Sequence, residues 1–387
     1  MKCMGMILGP LLAVLAGTTQ VWAEEPTTNP PTRAKGPTIE IAFVLDTTGS
    51  MGGLIAGAKE KIWAIANQIA SGKPRPDVFM ALVPYRDKGD AYVTKLYALT
   101  TNLDQVYTDL MTFEAQGGGD TPENVNQALY DAIHKIQWSS GDKVTRIIYL
   151  VGDCPPHNEY QDVPTYDKLA KAAIDKGIYI NTILCGNNSD ARTVWQAIAR
   201  RAEGEFIQIA QDGAVRTIDT PYDAELSELN RKLISTTVVY GETSIRATQK
   251  ALNDVAGAKI AKPESSEGRS LMRKSADRAA FSVKAGKAAS NDLLSDMVQG
   301  KIRLEDVDEK KLPENMQKMT IDERKAFVVK QQNIREELSR QIKDVSAKRA
   351  EYLKKEMTKA GAAPSFDTKV LDSLKRQAGR NGVEYSD

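Results

Sequence analysis

The chain has 387 residues, 41% hydrophobic and 27% charged, with 52 Lys and Arg against 51 Asp and Glu. That length suffices for two or three ordinary domains, and a formal net charge of +1 excludes a partner selected by bulk charge alone. The balance conceals a division, because residues 241–387 hold 30 basic against 23 acidic side chains while the first 240 hold 22 against 28. Both signs alternate along the expected helices of the second part, so its basic excess reads as solvated helix faces, and no nucleic-acid partner is expected.

Lys2 precedes an apolar run from Met6 to Gly17, and Val21-Trp22-Ala23 precedes Glu24-Glu25-Pro26. This is the pattern of a secretory signal peptide, residues 1–23, cut after Ala23, and its apolar run is too short to span a bilayer. Cys3 lies ahead of that run, badly placed to carry a lipid. No later run approaches the ~20 apolar residues of a transmembrane helix. The expectation is therefore an exported protein, periplasmic or secreted, with no transmembrane segment in the mature chain. Residues 24–37, rich in Pro, Thr and charge, read as a flexible leader.

From Thr38 onward, short apolar runs alternate with helix-length segments. Strands are predicted at 39–45, 78–85, 93–99, 146–152, 178–184 and 205–209, with helices near 53–70, 102–114, 123–137, 164–176, 190–202 and 222–235. The alternation implies an α/β fold over residues 38–237, a Rossmann-like, doubly wound, mostly parallel six-stranded sheet with helices on both faces. The run IEIAFVL at 39–45 suits a central strand buried on both sides. After Tyr240 strand patterns vanish, and residues 238–387 read as an α-helical extension with a hinge at 257–270. Thr320-Ile321-Asp322-Glu323 has the form of a capping box that opens a long amphipathic helix to about Lys359. Its apolar stripe of Phe327, Ile334, Leu338, Ile342, Val345, Tyr352 and Leu353 needs a cover: either the sheet domain or, in the manner of a coiled coil, a second copy of the chain.

In open sheets of this kind ligands bind at the carboxyl ends of the strands, where strand order reverses. Asp46-Thr47-Thr48-Gly49-Ser50-Met51 follows the first strand and Gly152-Asp153-Cys154-Pro155-Pro156-His157 the fourth. Asp46, Thr48 and Ser50 fit D-x-[ST]-x-S, a carboxylate and two hydroxyls in one tight loop, which suits a hard cation such as Mg²⁺ or Mn²⁺. The loop Gly117-Gly118-Gly119-Asp120-Thr121-Pro122-Glu123 precedes a helix, and Asp120 or Thr121 can either cap it or turn an oxygen toward a cation. With Asp153, three oxygen-bearing loops converge on one edge. Tyr85, Arg86 and Asp87 end the second strand near it. His157 reads as a surface histidine after two prolines, because the oxygen donors argue against an imidazole-preferring ion. Cys154 and Cys185 follow two strands, which leaves a disulfide and two quiet thiols both open.

The pieces VLDTTGSM (44–51), VPYRDKGD (83–90), GGGDTPE (117–123) and LVGDCPPH (150–157) occur in this order, and they resemble the von Willebrand factor A family with its metal-ion-dependent adhesion site. The resemblance covers about residues 38–237. It implies that Asp46, Thr48 and Ser50 are the first-loop ligands, Asp153 the last acidic ligand, and Thr121 or Asp120 the middle-loop ligand. It further implies Mg²⁺, or Mn²⁺ or Ca²⁺, with a coordination position left open for an exposed Asp or Glu of a protein partner. A hydrolase is the alternative, but Thr48 stands where D-x-D phosphatases place their second acid. Gly53 to Lys59 has the wrong spacing for a phosphate-binding loop, and G-x-S-x-G and H-E-x-x-H are absent. A binding module, not an enzyme, is therefore expected; the other alternative is a scaffold whose helical tail drives assembly, with self-association through the long helix.

Overall fold

The first strand, β1 (Thr38–Asp46), is buried at every residue, as an apolar run without alternation requires. The computed structural model describes residues 36–119, 121–359 and 365–385, so the expected signal peptide and nearly all of the leader lie outside the described residues. β1 pairs in parallel with β2 (Asp77–Tyr85) on one side and β4 (Val144–Gly152) on the other. β5 (Ile178–Cys185) and β6 (Phe206–Ile209) continue in parallel, and β3 (Tyr97–Thr100) closes the far edge antiparallel to β2. The order is β3-β2-β1-β4-β5-β6, the mostly parallel six-stranded sheet expected. The third strand is shorter than the predicted 93–99, because residues 93–95 are tied to β2 only by Arg86 N–H to Val93 O and Lys95 N–H to Pro84 O.

Strand pleating divides the apolar residues between two cores. Ile41, Phe43, Met80, Leu82, Ile147 and Tyr149 point one way, toward α1 (Gly52–Ile69) and α2 (Leu103–Met111). Ala42, Val44, Ala81, Val83, Ile148 and Leu150 point the other way, toward α3 (Val125–His134), α4 (Tyr166–Asp175) and α5 (Ser189–Arg201). After the sheet come α6 (Asp223–Ser235), α7 (Thr243–Ala256), α8 (Ser266–Ala285), α9 (Leu293–Val298), α10 (Glu314–Gln317) and the 39-residue α11 (Ile321–Lys359). Of the segment 257–270 expected as a hinge, only 257–265 lies outside helices, because the Ser265 hydroxyl accepts the Gly268 N–H and starts α8 at Ser266.

The capping box that opens α11 is present in both directions, Thr320 N–H to Glu323 Oε2 at 2.7 Å and Glu323 N–H to Thr320 Oγ1 at 3.3 Å. The helix lays Leu338, Ile342 and Val345 against Leu226 and Leu229 of α6 and Ala276 and Ala279 of α8. The same chain therefore covers this stretch of the stripe. Ile334 stays 41% exposed.

The last helix, α12 (Phe366–Gly379), changes the domain plan. Phe366, Val370, Leu374 and Ala378 belong to the same core as β1, β4 and α1. The buried Tyr149 hydroxyl of β4 lies 2.9 Å from both Val370 O and Ser373 Oγ, and Asn181 of β5 exchanges two 2.9 Å amide hydrogen bonds with Gln377. Residues 38–237 thus do not close their own sheet: one face is completed by residues beyond 365, and all described residues form one compact unit. The boundary expected after 237 separates sequence styles but not cores, because an apolar helix face is placed by what it buries, whatever its distance along the chain. Among the described residues, no helix is long and apolar enough to cross a membrane.

Candidate metal centre

β1 ends by delivering Asp46 to the sheet edge with no exposed surface. Asp46 Oδ1 accepts hydrogen bonds from the Thr48 N–H at 2.8 Å and the Thr48 hydroxyl at 2.6 Å, and Thr48 Oγ1 lies 3.5 Å from Ser50 Oγ. The three D-x-[ST]-x-S side chains are therefore together. The loop is held from both sides: Thr47 O accepts from Gln116 N–H and Arg86 Nε–H, and Gly49 N–H donates to Gly117 O. Gly117 has φ +79°, a left-handed backbone that favours glycine, and a β-carbon there would displace the Asp90 carboxylate, 2.1 Å away.

In the β1–β4 register Leu45 stands opposite Val151, which puts Asp46 beside Gly152. A side chain at Gly152 would meet the Tyr85 hydroxyl at 2.5 Å and Asp46 Cβ at 3.2 Å; glycine lets the end of β4 close on Asp46 and carry Asp153 to the same edge. Asp153 Oδ2 accepts from Gln211 Nε2 at 2.7 Å, and Gln211 also donates to Ser50 O at 3.3 Å. Gln211, two residues past β6, thus bridges the first and last loops. No motif marks it, although the rule that ligands gather past strand ends includes its position.

The middle loop approaches from the other side. Thr121 Oγ1 lies 3.9 Å from Cys154 Sγ, and Asp120 lies outside the described residues. Glu123, two residues on, is 2% exposed and is pinned by its backbone to Pro155 and His157. Burial, joined by the charges of Asp46, Asp87, Asp90 and Asp153, pushes its carboxyl up to about 8. Burial likewise pushes Asp46 up to about 7 despite the Thr48 hydrogen bonds, with Asp153 adding to the rise.

Asp46 Oδ2 and Asp153 Oδ1 are buried and have no hydrogen-bond partner, and the same holds for Asp87 Oδ1 and Glu123 Oε2. An unpaired buried carboxylate is costly and calls for a cation. The nearby guanidinium of Arg86 is spent on the Thr47 and Glu114 carbonyls. Among the described residues, no three His, Cys, Asp or Glu side chains gather as a metal cluster. The donor set is instead mixed, two adjacent carboxylates with hydroxyls from Thr48 and Ser50. Such hard oxygens fit Mg²⁺, Mn²⁺ or Ca²⁺.

A sequence profile described as von Willebrand factor A domain matches residues 40–221. Residues 40–221 form a von Willebrand factor A domain. The mouse von Willebrand factor A domain-containing protein 7 is 41% identical over 93 residues, 24% of this chain and 10% of that protein. Its human counterpart is 38% identical over 97 residues, 25% of this chain and again 10% of that protein. The matched part thus spans about a tenth of the length of these relatives. Among solved structures, the proximal thread matrix protein 1 of the mussel byssus, with a zinc-occupied metal-ion-dependent adhesion site, is 15% identical, covers 46% of this chain and 43% of its own, and has a TM-score of 0.38.

Around the A domain's edge one expectation is corrected. His157 is not a surface histidine: it is 6% exposed, stacked on Tyr160 at 4.4 Å between ring centroids, with Nδ1 bonded to Glu159 and Nε2 3.4 Å from Asp87 Oδ2. The Asn126 amide holds its carbonyl at 3.0 Å. Asp87, also reached by the Tyr160 hydroxyl at 3.0 Å, forms with it a buried wall beside the centre. Cys154 and Cys185 are both free thiols, and burial raises both well above the ordinary thiol range.

Proposed function

We propose that this A domain is a metal-dependent protein-binding module. Asp46, Thr48, Ser50 and Asp153, with Thr121 or Asp120, hold a divalent ion, Mg²⁺ or Mn²⁺ by the hardness of the donors or Ca²⁺ where more oxygens gather. The observation that carries the reading is the pair of buried, unpartnered oxygens, Asp46 Oδ2 and Asp153 Oδ1, on adjoining strand ends. The bound ion would supply positive charge and an accessible coordination position for an Asp or Glu carboxylate of the partner. The protein's own part is to hold the carboxylates in register through the β1–β4 pairing and to fix the loops through Thr48, Gln211 and the Gly117 contact. The N-terminal signal pattern supports work outside the cytoplasm, which the mass of the secreted chain, cut after Ala23, checks.

The experiment is capture of a glutamate-rich peptide on immobilised full chain, with a glutamine-substituted peptide as control. Retention should vanish in EDTA, return with Mg²⁺ or Mn²⁺, and be absent for Asp46→Ala. Equal retention of the acidic peptide in EDTA contradicts the reading.

A further inference from the structure

The second half of α11 does not pack flush against the A domain. Between it, α1, α8 and α12 lies a cavity of about 800 Å³, whose lining includes none of Asp46, Thr48, Ser50, Thr121 or Asp153. Ile65, Ile218, Val283, Ile342, Leu353 and Leu371 give it an apolar wall. Much of the charge in its lining is neutralised internally: Arg273 pairs with Glu60 at 2.8 Å, Arg349 with Asp277 at 2.6 Å and Lys61 with Asp367 at 3.3 Å. Three lysines in the lining are different. Lys284, Lys343 and Lys354 form no salt bridge among the described residues; Lys284 feels the Asp277 carboxylate only beyond ion-pair distance, and its Nζ donates to Ser71 Oγ at 2.9 Å. Two further lining atoms, Ser346 Oγ and Asn67 Oδ1, are buried without any hydrogen-bond partner.

An apolar volume of this size lies within the ~300–1,000 Å³ of small-molecule sites. Ammonium groups without a salt bridge beside it set the sign of what it takes, and unpaired polar atoms in the wall are the mark of a missing ligand group. We propose that this cavity binds an anionic amphiphile with a single acyl chain, its carboxylate or phosphate head on Lys284, Lys343 and Lys354 and its chain on the apolar wall. The Ser346 hydroxyl has a hydrogen to donate to the head, and the Asn67 amide can present either end. The proposal is independent of the metal centre.

The test is calorimetric titration of the full chain with monomeric decanoate and dodecanoate, with dodecanol as the neutral control and lysophosphatidylglycerol as the alternative source of the same chemistry. Saturable one-site binding is expected, roughly threefold to fourfold tighter per added methylene and about tenfold or more weaker for dodecanol, which lacks the charge. Tighter binding of either the fatty acid or the lysolipid identifies the source. Ala64→Trp, which fills the cavity, should abolish binding while leaving Mg²⁺ binding intact. Lys284→Gln should weaken dodecanoate by about tenfold and leave dodecanol unchanged, a selectivity that a misfolded variant would not show. Absence of saturable binding to both anions, equal affinity for dodecanol, or full binding by a folded Ala64→Trp overturns the proposal.

Discussion

Two sets of buried carboxylates in this molecule have opposite fates. Where the helices of the second half pack on the sheet domain and on one another, four buried acids are held by three guanidinium groups. Asp104 of α2 takes both Nε and Nη2 of Arg278 at 2.7 Å, Asp223 and Asp277 share Arg349 at 2.6 Å each, and Asp292 is held by Arg335. At the strand ends Asp46, Asp87, Glu123 and Asp153 are equally buried, yet each keeps an oxygen without a partner. The first set holds the fold with a resident cation. The second has the same desolvation to offset and, among the described residues, no guanidinium on those oxygens, which is the charge the proposed metal ion would supply.

The contrast can be broken from either side. The largest effect is expected at Arg278→Ala, which strands Asp104 in the interior. Urea unfolding should show a loss of about 3–5 kcal/mol, the same in Mg²⁺ and in EDTA; a loss confined to one condition would mean that the two sets are coupled. A smaller change sharpens the other side. Gln211→Ala removes the donor that orients Asp153 and ties it to the Ser50 backbone, so Mg²⁺ affinity should fall about 10–100-fold while the melting temperature in EDTA stays put. Unchanged affinity would leave Gln211 a bystander. The smallest effect is expected at Ser365→Ala, which deletes half of the capping box of α12 and should cost about 1 kcal/mol. Because α12 shares the core of β1 and β4, the loss should appear in the single unfolding transition of the whole protein. A separate early transition would show α12 to be an appendage.

These comparisons also mark what the residues reveal before folding. Short apolar runs located all six strands, and the Thr320–Glu323 box located the start of α11, because both signals are local. The order of the loops carrying Asp46, Ser50 and Asp153 was legible for the same reason: strand ends in a parallel sheet share an edge. The place of α12 was not legible, since an amphipathic stripe reports that a face is apolar and not which sheet it covers. Gln211 was missed because an amide in a loop has no pattern, only neighbours. His157 was misread because two prolines suggest a turn at the surface, whereas Asp87, Glu159 and Tyr160 enclose it from either side.

Calorimetric titration of Mg²⁺ into the metal-stripped chain bears most directly on the central claim that the strand-end carboxylates wait for a diffusible cation. One saturable site is expected in the wild type and in Arg278→Ala wherever that variant remains folded, and none in Asp46→Ala or Asp153→Ala. Undiminished heats in both aspartate variants would contradict the account and place the cation elsewhere.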